Sequence, residues 1–266
     1  MTLLVRDEED VLAANLTHHF AQGVDYVIAT DNGSVDGTLD ILRGEESAGR
    51  LRLIIEPEDT YAQHRWVTRM ARLAATEHGA DWVINNDADE FWWPRDGGLA
   101  STLAAVPDDV DMVIAQRHNL VARPDGRPMA IRQRDSVQHP GLGDGPLPPK
   151  LAHRADPTVS VLQGNHEIEG LPGRALDDGR IDILHVPVRS YPQFANKIAK
   201  GGAAYARNTE LPPEVGHQWR RLHATQQDGS FDEEWDKILL TDDEIAAGLA
   251  DGSLVEDTRL LGLLAR

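Results

Sequence analysis

Short apolar runs that alternate with segments of helical period fill the first hundred residues, and this alternation constrains the chain more than any other feature. Thr2 to Val5, Val24 to Ala29, Leu51 to Ile55 and a run opening at Trp82 to Ile84 are continuous apolar stretches of strand length. Between them, Leu12, Leu16, His19 and Phe20 share one helical face that should stop at Gly23. Gly37 to Arg43 predicts a short helix, and Trp66, Met70, Leu73 and Ala74 mark the buried side of a longer one. Continuous apolar strands joined by helices require βαβ units, a parallel sheet and right-handed crossovers. The expected class is α/β, a Rossmann-like, mainly parallel sheet flanked by helices.

Beyond residue 100 the pattern changes. A helix (Leu99 to Val106) and a strand (Val110 to Ala115) lead into Arg123 to Pro149, where turn residues predict a long functional loop. Strands follow near Val159 to Leu162 and Ile181 to Val186, then a helix announced by Ser190 and Gln193 at capping-box spacing. From Leu211 the chain is acidic and helical. The expected organisation is one domain over 1–205, divided into 1–95 and 96–205, with a helical extension over 206–266.

The chain has 26 basic and 44 acidic residues among 266, a net charge of −18. Nothing at long range would draw in nucleic acid or an anionic membrane, so any phosphate must be held locally. Lys150, Lys197, Lys200 and Lys237 are the only lysines. The absence of cysteine excludes disulfides, thiolate metal sites and a cysteine nucleophile. No stretch approaches the roughly 20 apolar residues of a membrane span, which makes the cytoplasm the default location.

Three polar clusters can carry chemistry. In WVINNDADEFWWP, Asp87 and Asp89 close the fourth apolar run, where open α/β sheets bind ligands. Crowded carboxylates resist ionising unless a cation lies between them, and hard oxygen donors suit Mg²⁺ or Mn²⁺; a capped, solvated turn is the alternative. Trp92 and Trp93 offer faces for a sugar ring or for core packing. In ATDNGSVDGT, after the second strand, Asp36, Gly37 and Thr38 suit a helix cap, whereas Asp31 and Asn32 are placed to meet a ligand. GNHEIEG presents Glu167, and secondarily His166, as a catalytic base, or is an ordinary polar turn. The stripe Arg65, Arg69, Arg72 faces away from the apolar side of its helix; it is either solvated or, at Arg65, within reach of a phosphate. His185 belongs to the core or to the strand-end crevice.

LVRDEEDVLAANLTHHFAQGVDYVIATDNGSVDGT followed by GADWVINNDADEF resembles the nucleotide-sugar half of the family 2 glycosyltransferases, which have the GT-A fold. The resemblance covers about residues 1 to 95, and Ile183 to Gly202 is similar to a C-terminal segment of one branch. It implies a nucleotide-diphosphate-sugar donor, UDP foremost, a Mn²⁺ or Mg²⁺ bridging the diphosphate, and single-displacement inversion at an acceptor hydroxyl. By position it implies Val5, Arg6 and Glu8 at the nucleotide base, Asp31 at base or ribose, and Asp87 and Asp89 at ribose and metal. By similarity it implies His185 on the metal, with Arg189 and Lys197 on phosphate. The Glu-Asp pair that commonly supplies the family's base is missing. The expected acceptor is a small molecule, glycan or natural product. Two alternatives are a silent sugar-nucleotide-binding protein and a sugar-phosphate nucleotidyltransferase; the latter wants a basic, glycine-rich loop where RDEED stands.

Overall fold

The computed structural model of the chain describes residues 1–58, 63–123, 128–208 and 216–264, with residues 128 and 129 described in backbone only. The architecture is α/β, with a mixed sheet flanked by helices. It forms two compact units: Met1–Pro57, Ala62–Arg117 and Pro148–Leu184 in the first, Glu58–Tyr61, His118–Leu147 and His185–Arg266 in the second.

In the first unit the chain runs β1 (Thr2–Val5), α1 (Glu9–Ala21), β2 (Val27–Asp31), α2 (Thr38–Ser47), β3 (Leu51–Ile55), α3 (Gln63–His78), β4 (Trp82–Asp87), β5 (Glu90–Pro94) and α4 (Leu99–Ala104). Strands β3, β2, β1 and β4 are neighbours in that order and parallel, as alternating strand and helix require. Val5 pairs with Asp31 and Leu4 with Asp87, so both acids end their strands on either side of β1. At β4 the direction reverses. The long β6 (Val110–Ala122) reaches seven residues past its expected end, and β8 (Lys150–Arg154) lies antiparallel between it and β4.

Apolar faces on both sides of the sheet are closed by helices and by a second layer of chain. Ile28, Val83, Val67, Met70 and Ala71 form one core under α3, and Trp92, Leu99, Leu103, Val113 and Ile183 form another. Gly23 ends α1 at φ +93°, and a Cβ there would lie 2.8 Å from Ala100 Cβ. Left-handed backbone and a rigid neighbour both oppose a side chain, so Gly23→Ala should cost about 2 kcal/mol, read as a fall in the urea midpoint at unchanged slope.

The second unit corrects one expectation. The stretch Arg123 to Pro149 is not irregular throughout: β7 (Pro128–Gln133) runs inside it, antiparallel to the end of β6 and to β10 (Leu254–Glu256). Proline is tolerated there because it stands first in the strand. Residues 124–127 of the expected loop lie outside the described residues. Helix α5 (Tyr191–Arg207) starts where Ser190 Oγ accepts from Gln193 N at 3.3 Å. Its Phe194 and Ile198 pack with Leu222, Phe231, Trp235 and Ile238 from α6 (His217–Asp228) and α7 (Phe231–Ile238). Among the described residues no helix is long and apolar enough to cross a membrane.

Candidate functional site

Strand-end residues and two loops build the site in the first unit. The β1–α1 and β2–α2 loops are sewn to each other by their own acids. Asp7 N donates to Ser34 Oγ (3.0 Å) and Val35 N to Asp7 Oδ1 (2.8 Å). Glu8 N donates to Thr38 Oγ1 (2.8 Å), Glu9 N to Asp36 Oδ2 (3.1 Å) and Gly37 N to Glu9 Oε2 (2.6 Å). Asp36 Oδ1 also accepts from Thr38 N at 3.0 Å, which gives it the expected place at the start of α2. Val5 and Glu8 are buried and Arg6 is half-buried in this layer.

Asp31 stands at its floor, 2% exposed. One carboxylate oxygen accepts from Gly33 N (3.1 Å) and Ser34 N (3.2 Å). The other, Oδ1, is buried with no hydrogen-bond partner. Asn32 is fixed beside it, its Nδ2 donating to Glu56 O at 3.1 Å.

The acidic turn between β4 and β5 is held from below by amides. Asn15 of α1 donates through Nδ2 to Ala88 O (2.9 Å) and Glu90 O (2.8 Å). Asn86 Nδ2 donates to Asn15 Oδ1 (3.1 Å), and Trp92 Nε1 donates to Asn86 Oδ1 (2.9 Å). Asp89 is buried within this turn, and Trp92 is fully buried core. Trp93 is half-buried and stacks on His18 with centroids 4.8 Å apart.

Three residues that the sequence did not single out, Lys150, Asn165 and Arg117, join Asp87 and Glu90 in one cluster. Lys150 Nζ lies 2.6 Å from Asp87 Oδ2 and 3.4 Å from Glu90 Oε2. Arg117 Nη1 lies 3.2 Å from Glu90 Oε1, and Asn165 Nδ2 donates to Asp87 Oδ1 at 3.3 Å. Only the scarcity of lysine hinted at Lys150. Among the described residues no group of three or more histidines and acids is arranged to hold a metal ion. At Asp87 the donor set does not fit one: an ammonium and an amide N–H already cover its two oxygens.

The GNHEIEG segment follows β9 (Ser160–Val161) and is tied to α3, with Gly164 N donating to Gln63 Oε1 at 3.1 Å. His166 Nδ1 donates to Pro149 O at 2.9 Å, which leaves Nε2 unprotonated. Burial, then the nearby Lys150 and Arg117 charges, push its pKa down to about 3. Such an imidazole stays neutral at physiological pH and is a weak base. Glu167 is exposed, two residues from Asn165. Arg65 is exposed on α3, whereas Arg69 pairs with Glu56 and Arg72 binds the carbonyl of Val159.

His185, Arg189 and Lys197 belong to the second unit. Asn119 Nδ2 donates to Gln133 Oε1 and Val137 O, both at 2.8 Å, so its Oδ1 accepts from His185 Nδ1 at 2.7 Å. In the neutral ring this bond puts the proton on Nδ1, the tautomer a metal ligand bound through Nε2 needs. Arg189 is buried, with Nη1 donating to Val186 O at 3.3 Å, and Lys197 is half-buried on α5.

No protein-family model matches this chain, and no curated protein matches it. Solved structures similar to it include S. aureus TarS residues 1–349 in complex with UDP-GlcNAc, at 12% identity and TM-score 0.46, covering 86% of this chain and 72% of that one. The longer S. aureus TarS structure is similar at 13% identity and TM-score 0.46, covering 86% of this chain and 42% of that one. Glucosyl-3-phosphoglycerate synthase from Mycobacterium tuberculosis, in complex with Mn²⁺, UDP and glucosyl-3-phosphoglycerate, is similar at 18% identity and TM-score 0.29, covering 44% of this chain and 42% of that one.

Proposed function

We propose that the chain is a GT-A glycosyltransferase that moves a sugar from a nucleotide diphosphate, UDP foremost, to an acceptor hydroxyl with inversion. The observation that carries this is Asp31 Oδ1, a buried carboxylate oxygen with no partner at the carboxyl edge of a parallel sheet. Leaving such an atom unsatisfied is costly, and a ligand N–H or O–H, from a pyrimidine or a ribose, would satisfy it. Val5, Arg6, Glu8 and Asn32 would frame the base. Within the first unit Arg65 is the proposed diphosphate contact, supported by its charge; Arg189 and Lys197, to which the resemblance gives the same role, belong to the second unit.

In the proposed reaction Glu167 accepts the proton of the acceptor hydroxyl, whose oxygen attacks the anomeric carbon as the bond to the diphosphate breaks. The nucleoside diphosphate departs with that electron pair. Glu167 takes precedence over His166 because its carboxylate is exposed to an incoming hydroxyl, whereas the imidazole is pushed down to about 3 by burial and by the Lys150 and Arg117 charges, which oppose its taking a proton. The Mn²⁺ or Mg²⁺ expected at Asp87, Asp89 and His185 meets an engaged carboxylate at Asp87, and no step here runs through a metal.

Calorimetric titration of UDP and GDP into the protein and into Asp31→Ala tests the proposal. One nucleotide should bind the unaltered chain, with the variant weaker by about tenfold or more, the loss expected for a buried charge-assisted hydrogen bond. Absence of binding by both nucleotides, with and without Mn²⁺, would overturn it.

A further inference from the structure

Lys150 opens β8, opposite Ala115 of β6, and its side chain is 1% exposed. A buried ammonium is stable only when carboxylates surround it. Here two do. Asp87 Oδ2 at 2.6 Å and Glu90 Oε2 at 3.4 Å lie around Nζ, and Arg117 sits on the other oxygen of Glu90. Arg117 is itself anchored through Nε to Pro148 O at 3.0 Å. Two cations therefore balance two carboxylates in one cluster. Charge balance decides what else can join it. A divalent ion approaching Asp87 would either displace the ammonium, stranding it in a dry interior, or add two charges beside two cations already present.

From this geometry we propose that Lys150 is a built-in cation that stands where a divalent ion would otherwise sit on Asp87. Asp87 is then a lysine-held carboxylate rather than a metal ligand, and the nucleotide proposed above binds without one. Metal-free nucleotide binding rests on the proposed function; the hold of Lys150 on Asp87 does not.

The test has two readouts on the full chain. First, UDP is titrated in Mn²⁺ and in chelator; the expected affinities agree within about threefold, less than 1 kcal/mol. Second, Mn²⁺ alone is titrated into the unaltered chain, Asp87→Asn and Lys150→Gln. Asp87→Asn should leave Mn²⁺ affinity unchanged, whereas Lys150→Gln, by taking the ammonium from Asp87 while Arg117 still holds Glu90, should tighten it by about tenfold or more. UDP binding that requires Mn²⁺, or Mn²⁺ binding weakened about tenfold by Asp87→Asn, would overturn the inference. If UDP binds under neither condition the functional proposal falls, and the Mn²⁺ titrations still decide the role of Lys150. If either variant fails to fold, the titrations of the unaltered chain decide.

Discussion

Acidification from pH 7.5 to pH 5 is expected to remove a large part of the stability of this protein. His19, His139 and His153 are buried, at 0%, 1% and 0% exposure, with pKa values pushed down to about 3, 4 and 4, chiefly by loss of hydration. Each donates Nδ1–H to a backbone carbonyl: Asn15 at 2.8 Å, Pro140 at 3.0 Å and Arg154 at 2.7 Å. His19 Nε2 also accepts from Trp92 N at 3.3 Å, a bond that only the neutral ring can make. The sign follows from proton counts. Below the ordinary histidine pKa of 6.5 the unfolded chain takes up protons that the folded chain refuses until about pH 4, so stability is full above 6.5 and falls with pH through that window. Each ring contributes about 1.4 kcal/mol per pH unit, so three of them remove on the order of 6 kcal/mol by pH 5, against a typical total of roughly 5–15 kcal/mol. Urea midpoints measured across this range should fall steeply, and His153→Gln should flatten the dependence. A midpoint constant from pH 7 to pH 5 would mean that these rings are protonated in the folded chain.

Replacing Asn15 by leucine is the second large effect. The side chain loses both donated bonds to the acidic turn and the one it accepts from Asn86, and it strands the buried carbonyls of Ala88 and Glu90. At about 1–3 kcal/mol for each buried group left without a partner, the cost is roughly 3–5 kcal/mol. The same change releases the turn that carries Asp89. Urea denaturation gives the stability term, and nucleotide titration at a temperature where the variant remains folded gives the functional one; both should fall. A loss under about 1 kcal/mol would mean that the turn is held by other contacts.

Most of the first unit was legible because its information is local. Continuous apolar runs gave β1 to β4, and 3.6-residue spacing gave α1 and α3 with their buried faces. Asp31 could be singled out because the carboxyl edge of a parallel sheet is a topological consequence of those runs. Lys150 could not, since its partner Asp87 lies 63 residues away and the antiparallel β4–β8 pairing that joins them leaves no periodic trace. The same distance effect hid Asn119, which is 66 residues from the His185 it orients. Strand β7 was obscured by the proline and glycine residues around it, whose turn preference outweighs six residues of extended pattern. His166 was recognised as titratable, but its neutrality depends on Lys150 and Arg117, charges that the fold alone brings near it.

The five bonds that stitch Asp7, Glu8 and Glu9 to the Ser34–Thr38 segment bear on what binding requires of the chain. Loops that close only over a ligand surrender conformational freedom at that moment, and the affinity is reduced by that amount. Here backbone amides on both loops are already committed to carboxylates and hydroxyls, so the ordering is completed during folding. The Asp7 and Glu9 carboxylates of RDEED act as internal fasteners, and a guest arriving at the strand ends meets a rigid rim whose entropy has already been spent.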